Sequence, residues 1–168
     1  RRRHTRSFHV TGVQTCALPI STCKPFALIA ALEAGIGLDT VWNGDQPQVY
    51  EWDGKPYEVG NFGNKSFGKI TLAEATARSV NTVYVPLGIQ VGPEKVVEVA
   101  RRAGIPNSVA IDPYPSVVLG AASPHVIDVA SAYATFAAQG VYAKPYFIQT
   151  VNRSEEHTSE LQSRETIS

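Results

Sequence analysis

The sequence predicts a mixed fold of α-helices and a few β-strands, in which helix is the larger part. Apolar residues recur at helical spacing in several segments between residues 21 and 140; Pro, Ser or Thr open these segments and Gly closes them. Two short runs flank Asp53-Gly54, a dipeptide typical of β-hairpin turns. One further run, residues 146–151, indicates a strand. The predicted helices therefore contain more residues than the predicted strands.

The first predicted helix begins near Ser21, a residue suited to a helix N-cap, with Pro25 tolerated in the first turn. Gly35 and Gly37 end it. Its apolar positions are spaced near 3.6 residues apart: Phe26, Leu28, Ile29, Leu32 and Ile36. Residues 38–69 are rich in Gly, Asn, Asp and Pro and predict a loop. Within that loop we expect a hairpin of Gln48–Trp52 and Lys55–Val59.

Four further helices follow this loop. Thr71-Leu72-Ala73-Glu74 is a capping-box sequence that predicts a helix to about residue 78, and 82–91 predicts another that Pro86 perturbs. Pro93 begins a helix that Gly104 ends. Ser123-Pro124 predicts the start of a long apolar helix that reaches Gln139. The apolar side of the helix after Pro93 consists of Val96, Val97, Val99 and Ala100.

Composition excludes several classes of protein. The 168 residues include 15 Lys and Arg and 15 Asp and Glu, a formal net charge of +0, which argues against a nucleic acid or an anionic membrane as partner. With 43% hydrophobic and 18% charged residues, the bulk of the chain is not intrinsically disordered. Two cysteines without metal-type spacing exclude a disulfide scaffold, and we expect no metal or cofactor. No apolar run approaches the roughly 20 residues of a membrane span.

The two ends of the chain differ from its middle. Residues 1–20 carry four Arg and no acidic residue, and residues 152–168 carry two Arg and four Glu. Both resemble translated sequencing-adapter sequence, so we expect 1–20 and 152–168 to be artefactual or disordered and 21–151 to hold the domain. The alternative for the Arg run is a nucleic-acid tail or the start of a signal peptide, but no adequate apolar stretch follows it. The chain contains no Met, and we expect it to be a fragment.

Four residues could carry a mechanism. In Ser21-Thr22-Cys23-Lys24 a helical spacing of three would put a hydroxyl and an amine on one face, where the positive end of the helix dipole favours developing negative charge. A lysine with a depressed pKa can act as the base that a serine nucleophile needs. Ser79 and Asn81 follow a capped helix and could close around this pair. The alternatives are an N-cap for Ser21, a solvated side chain for Lys24 and a helix stop for Asn81.

Together these motifs match the Ser-x-x-Lys and Ser-x-Asn set of serine acyltransferases. The chain resembles the transpeptidase domain of a bifunctional (class A) bacterial penicillin-binding protein over residues 21–151. The further matching blocks are Lys24-Pro25-Phe26, Ala30-Ala31-Leu32-Glu33-Ala34-Gly35, Gly60-Asn61-Phe62, Ile70-Thr71-Leu72, Ser79-Val80-Asn81-Thr82, Leu119-Gly120, and Ala130-Ser131-Ala132-Tyr133-Ala134-Thr135-Phe136-Ala137 with Gly140.

The resemblance implies an α+β domain of the β-lactamase/transpeptidase-like fold, here mostly its helical part with few strands. Ser21 corresponds to the acylated nucleophile, Lys24 to its base, and Ser79 and Asn81 to the second motif. The implied reaction cross-links peptidoglycan on the extracytoplasmic side of the cytoplasmic membrane: Ser21 attacks the D-Ala-D-Ala amide of a stem peptide, and an amine of a neighbouring stem takes the acyl group. Penicillin and other β-lactams would acylate the same serine.

The sequence also departs from the family pattern. Ile20 stands where Gly usually precedes the nucleophile, and Cys23 stands where an aromatic residue is frequent; we expect Cys23 to be a small buried apolar residue. No Lys-Thr-Gly motif, glycosyltransferase domain or membrane anchor is present. Since Lys-Thr-Gly helps to bind the substrate carboxylate and to form the oxyanion hole, we expect this fragment to be inactive.

Two other functions remain open from the sequence. A serine β-lactamase or D,D-carboxypeptidase would use the same acyl-enzyme with water as the acceptor, and product analysis on a stem peptide would separate it from a transpeptidase. A non-catalytic binding or scaffold module would use Ser21 only as an N-cap, and Ser21→Ala would then leave ligand binding unchanged.

Overall fold

The computed structural model describes residues 21–146, 148–152 and 158–159, and helices make up most of its regular structure. The predictions for residues 1–20 and for most of 152–168 lie outside the described residues. The helices are α1 (Lys24–Glu33), α2 (Leu72–Ala77), α3 (Asn81–Val91), α4 (Pro93–Ala103) and α5 (Val126–Ala137), with 3₁₀ turns at Phe62–Asn64 and Pro115–Leu119. The strands are β1 (Val41–Asn43), β2 (Gln48–Trp52), β3 (Lys55–Val59), β4 (Lys69–Thr71), β5 (Val151–Asn152) and β6 (Thr158–Ser159).

The strands form three antiparallel pairs, β1 with β4, β2 with β3 and β5 with β6. The predicted hairpin is confirmed at both strands. Asp53 has φ 51° and Gly54 φ 68°, and a type I′ turn needs positive φ at both central residues. The β1–β4 pair was missed inside the predicted loop 38–69, because strands of three residues are too short for alternation to be visible.

Helix α1 occupies the centre of the core, where it contacts α3, α4 and the Pro115–Leu119 turn. Its buried residues besides Lys24 are Phe26, Ala27, Ala30 and Ala31. The sequence prediction chose the larger apolar residues for this face and was wrong about Leu32, which is 46% exposed. Short alanine side chains let the neighbouring helices approach α1 closely, so the face with the smallest residues is the one that is covered.

Helix α3 contains Pro86, as predicted, and the hairpin compensates for it. Pro86 has no N–H to donate to the carbonyl of Thr82, four residues earlier. The hydroxyl of Tyr50 on β2, whose single hydrogen is shared with Gln48 Oε1, lies 3.3 Å from that same Thr82 carbonyl. The proline therefore leaves an acceptor that attaches the hairpin to the first turn of α3.

Gly88, two turns into α3, faces the Pro115–Leu119 turn. A Cβ at this position would lie 2.5 Å from Cγ1 of Val118, a fully buried residue. The absence of a side chain at Gly88 is thus what allows this turn to pack directly on α3.

Two predicted boundaries are corrected. Helix α5 begins at Val126 and not at Ser123-Pro124. His125 is its N-cap residue, and the backbone N–H of His125 donates to Asp128 Oδ2 at 3.0 Å, as in a capping box. The strand predicted at 146–151 is wrong over its described residues before Val151, since no strand in the described part of the chain pairs with them and supplies hydrogen bonds. None of the described helices has the length and apolar content to cross a bilayer.

Candidate active site

Lys24, the first residue of α1, is 4% exposed and lies at the centre of a hydrogen-bonded cluster. Its Nζ donates to the carbonyl oxygen of Ser79 at 2.7 Å, to Ser79 Oγ at 2.9 Å and to Asn81 Oδ1 at 2.7 Å. An ammonium has three N–H donors, so these acceptors use all of them. Beneath the cluster, the ring of buried Tyr84 lies with its centroid 5.4 Å from Lys24 Nζ, within the range of a cation–π contact. The predicted association of Lys24 with Ser79 and Asn81 is therefore present.

The link between α2 and α3 directs Ser79 and Asn81 towards Lys24. Thr71 caps α2, accepting a bond from the Glu74 N–H at 3.2 Å, as the sequence predicts. After α2 the chain reverses at Ser79, which has φ 56°, and α3 begins two residues later at Asn81. The Asn81 side chain is held at its other end, where Nδ2 donates to the carbonyl of Gly60 at 3.0 Å. A short reversal between two helices thus places a hydroxyl, a carbonyl and an amide on one ammonium.

Asn61 supports this arrangement from behind, and sequence reasoning gave it no role of its own. It is 7% exposed, and the two hydrogens of its Nδ2 point to the carbonyls of Gly44 at 3.0 Å and Lys65 at 2.9 Å, while the Thr82 hydroxyl donates to its Oδ1 at 3.2 Å. Its Oδ1 accepts from the Thr82 N–H at 3.1 Å. Asn61 is the neighbour of Gly60, and Thr82 is the neighbour of Asn81, so the network fixes both ends of the Gly60–Asn81 bond. Gly44 and Thr82 are distant from Asn61 in sequence, which is why no local pattern indicates this role.

Ser21 does not lie where the sequence prediction put it. It is in a turn before α1, whose N-cap residue is Cys23, so the N-cap prediction for Ser21 is wrong, and Ser21 and Lys24 do not share a helical face. Ser21 has φ 94°, in the left-handed region, whereas N-cap residues have negative φ, as Cys23 does at −88°. Its N–H donates to the carbonyl of Leu119 at 3.0 Å, which explains why the chain turns here. Within the described residues no hydrogen bond joins Ser21 Oγ to Lys24 Nζ.

Burial sets the electrostatics of the cluster. It lowers the pKa of Lys24 from 10.5 to about 8, because the charged form loses its hydration. Near neutral pH, Lys24 can therefore exist as an ammonium that binds its three acceptors or as an amine that accepts a proton. Burial raises the pKa of the Cys23 thiol, which is 8% exposed, and this agrees with the prediction of a buried apolar residue. In the described parts of the chain, no group of three or more His, Cys, Asp or Glu could hold a metal ion.

Comparison with known proteins identifies the family. The family model of the penicillin-binding protein transpeptidase domain matches residues 5–168. Penicillin-binding protein 1A of Mycolicibacterium smegmatis is 40% identical over 153 residues, which cover 80% of this chain and 18% of that protein. Penicillin-binding protein 1A of Aquifex aeolicus is 32% identical over 141 residues, 83% of this chain and 19% of that protein. The chain thus spans less than a fifth of the length of these relatives.

Solved structures agree with the fold. The structure of PonA1 from Mycobacterium tuberculosis in complex with penicillin V is 33% identical with a TM-score of 0.71, and the match covers 83% of this chain and 40% of that one. Penicillin-binding protein 1A from Haemophilus influenzae is 27% identical with a TM-score of 0.74, over 83% of this chain and 21% of that one. The helix-rich α+β architecture is therefore that of penicillin-binding transpeptidase domains, as predicted. The chain belongs to the penicillin-binding protein transpeptidase domain family.

Proposed function

We propose that the protein from which this chain derives is a peptidoglycan D,D-transpeptidase that works through an acyl-enzyme on Ser21. The observation that carries the proposal is the buried Lys24, whose Nζ is bonded to Ser79 and Asn81. A buried lysine with a depressed pKa is the group that can deprotonate a serine hydroxyl near neutral pH. Membership of the family supports the same assignment.

Each residue has one part in the proposed reaction. Lys24 in its amine form accepts the proton of Ser21 Oγ as this oxygen attacks the carbonyl carbon of the D-Ala-D-Ala amide. Ser79 Oγ, which already accepts a bond from Lys24 Nζ, passes a proton from Lys24 to the leaving D-Ala nitrogen. The Asn81 amide keeps one Nδ2 hydrogen beyond its bond to Gly60, and this hydrogen can bind a carbonyl of the stem peptide.

The second half of the reaction regenerates the enzyme. An amine of a neighbouring stem peptide attacks the carbonyl carbon of the Ser21 ester and gives up one proton, through Ser79 Oγ, to Lys24. The new amide forms as the ester C–O bond breaks, and Lys24 returns the proton to Ser21 Oγ. A β-lactam acylates Ser21 by the same attack, with ring opening in place of the loss of D-Ala. Because this substrate lies in the cell wall, we assign the reaction to the extracytoplasmic face of the bacterial cytoplasmic membrane.

We propose further that the 168-residue chain itself does not carry out this reaction. Ser21 Oγ makes no bond to Lys24 Nζ within the described residues, although proton transfer requires the two atoms to be within hydrogen-bond reach. The 168 residues also contain no Lys-Thr-Gly, which the family uses in its oxyanion hole.

Labelling with a fluorescent penicillin tests both statements. The 168-residue chain and a longer domain that includes the Lys-Thr-Gly strand of the uninterrupted gene are incubated with the reagent, each beside its Ser21→Ala variant. We expect stoichiometric labelling of the longer domain that Ser21→Ala abolishes, and no labelling of the short chain. An unlabelled longer domain would reject the enzyme assignment, and stoichiometric labelling of Ser21 in the short chain would reject its inactivity.

Product analysis then identifies the acceptor. The longer domain is given a stem peptide together with a second stem that carries a free amine. We expect a cross-linked dimer and free D-Ala. Release of D-Ala with only the hydrolysed tetrapeptide would assign the domain as a carboxypeptidase instead.

A further inference from the structure

A groove of about 300 Å³ lies beside Ser79, and most of its lining residues have no part in the proposed reaction. Its walls include two aromatic residues, Phe62 and Phe67, and two cationic residues, Lys65 and Arg78. Ser79 is also one of its lining residues, so the groove is continuous with the serine that bonds to Lys24. A molecule bound at Ser79 could therefore extend into the groove.

Phe62 is 95% exposed, so its ring is available for contact with a ligand at the edge of the groove. It lies on the 3₁₀ turn Phe62–Asn64, directly after the buried Asn61. Asn61 Nδ2 binds the Lys65 carbonyl at 2.9 Å, so its side chain closes the turn that carries Phe62. A rigid turn that displays a bare aromatic ring at the edge of a groove is suited to contact with a ligand.

Both charged residues that line the groove are cations, and Lys65 is the one whose charge is not compensated by an ion pair with a described residue. Arg78 is paired with Glu74 through its Nε at 3.0 Å, and its guanidinium lies 5.8 Å from the centroid of the Phe67 ring, which leaves the outer N–H groups of Arg78 available. Lys65 Nζ has no hydrogen bond or ion pair with any described residue. No Asp or Glu is among the described residues that line the groove. Two cations beside two rings are complementary to a ligand that has both a carboxylate and an apolar part.

We propose that this groove is a subsite for a carboxylate-bearing segment of the stem peptide, other than its D-Ala-D-Ala end, with Phe62 packing on the peptide and Lys65 pairing with the carboxylate. The inference rests on the proposed function for the identity of the ligand. It adds a determinant of substrate choice: stem peptides whose internal carboxylate is free bind better than those in which it is amidated. Arg78 adds a second positive charge to the groove, where its guanidinium lies over the Phe67 ring.

The test is an NMR titration of the ¹⁵N-labelled 168-residue chain with two synthetic stem pentapeptides. They differ only at the second residue, which is γ-linked D-glutamate with a free α-carboxylate in one and D-isoglutamine in the other. We expect shifts of the amides at 62–67 and 78–80, and an affinity for the free carboxylate about two- to five-fold higher, the range that one exposed ion pair supplies. This preference should decline as salt is added, since exposed charges are screened.

Variants locate the binding site. Lys65→Glu should remove or reverse the preference for the free carboxylate, whereas Lys55→Glu, an exposed charge reversal at the start of β3, should leave it unchanged. Phe62→Ala should lower the affinity for both peptides to a similar extent, about five-fold. Its control is Tyr146→Ala, which removes an exposed aromatic residue away from the groove.

The inference is overturned if the two peptides bind equally, if Lys65→Glu and Lys55→Glu have equal effects, or if no amide around the groove responds to either peptide. These results are independent of the penicillin experiment. Ser21 labelling in the longer domain without a carboxylate preference would reject the subsite alone. A carboxylate preference without any labelling would reject the enzyme assignment and leave a peptide-binding groove.

Discussion

The two sides of the candidate active site are built in different ways. On one side, Lys24, Ser79 and Asn81 are joined through side chains, and Asn61 holds the surrounding backbone in place. On the other side, the turn that carries Ser21 is attached through its main chain, by the bond from Ser21 N–H to the Leu119 carbonyl. The hydroxyl of Tyr133 on α5 adds a bond to the carbonyl of Thr22 at 2.9 Å.

This difference indicates which site residues are held in place by side-chain contacts within the described part of the chain. Lys24, the proposed base, and the Ser79–Asn81 motif are preorganised by contacts within the described residues, and their geometry depends on buried polar groups that are costly to leave unpaired. Ser21, the proposed nucleophile, lies in a turn that is attached through its backbone, with a strained φ of 94°. Substitutions on each side, and the pH dependence of stability, test this difference.

Asn61→Ala should have the largest effect, because it leaves the Lys65 carbonyl and the Thr82 N–H without their partner and removes one of the two bonds that the Gly44 carbonyl accepts. Buried unpaired groups cost roughly 1 to 3 kcal/mol each, so we expect the free energy of unfolding to fall by about 3 to 4 kcal/mol. Urea unfolding followed by circular dichroism measures it. Asn107→Ala, at an exposed position, should change stability by less than about 0.5 kcal/mol. Equal losses in the two variants would mean that the Asn61 network does not hold this side together.

The pH dependence of stability should report on Lys24. Its pKa is lowered from 10.5 to about 8 in the folded state, so between these values the unfolded chain binds more protons and stability rises with pH. The rise approaches 3 kcal/mol, at about 1.4 kcal/mol per pKa unit. Burial raises the pKa of Tyr84 and acts in the opposite direction above about pH 10. We therefore expect the difference between the native chain and Lys24→Met to grow by about 2 to 3 kcal/mol from pH 8 to pH 10.5. A constant difference across this range would show that Lys24 has an ordinary pKa.

Gly88→Ala should destabilise the packing of α3 on the Pro115–Leu119 turn, which holds Ser21. The new Cβ would lie 2.5 Å from Val118 Cγ1, and overpacking of this kind costs about 2 kcal/mol. Denaturant unfolding measures the loss, and the double variant Gly88→Ala with Val118→Ala is the control, because truncation of Val118 removes the clash. The two substitutions should then cost less together than the sum of their separate effects. Additive losses would mean that the clash is absent.

Ser21→Gly should give the smallest effect, with the opposite sign. Glycine adopts positive φ without the cost that a Cβ brings, so we expect a gain of up to about 1 kcal/mol. Ser79→Gly is the matched comparison, since Ser79 also has positive φ but its Oγ accepts a bond from Lys24. Loss of that bond should cancel the gain. If both variants gain equally in thermal unfolding, the two sides are not held differently.

The sequence predicted most helices because their boundaries are marked by local chemistry. Thr71 caps α2, Gly104 ends α4 with φ 116°, and Asp53-Gly54 makes the hairpin turn, and each of these acts within a few residues. Local chemistry predicts the candidate site only in part. Motif spacing identified Lys24 and Ser79, but their contact depends on the reversal between α2 and α3.

What could not be predicted depends on partners distant in the chain. Ser21 leaves the expected helix because its N–H bonds to Leu119, and the buried face of α1 is the alanine face because of where α3 and α4 pack. Asn61 acts through Gly44 and Thr82, neither of which any local periodicity relates to it. Tertiary contacts therefore decided these positions against local preference.

Helix α3 connects the two sides of the candidate active site. Asn81 is its first residue, and Gly88 lies two turns later against the segment that ends at Leu119, whose carbonyl holds Ser21. Helix α3 therefore supports both the Asn81 amide and the segment that positions Ser21, and a shift of α3 along its axis would move the two together. Substitutions near its C-terminal end, at Val91 or Gly92, would then change the rate of the proposed reaction without contact with a reacting atom.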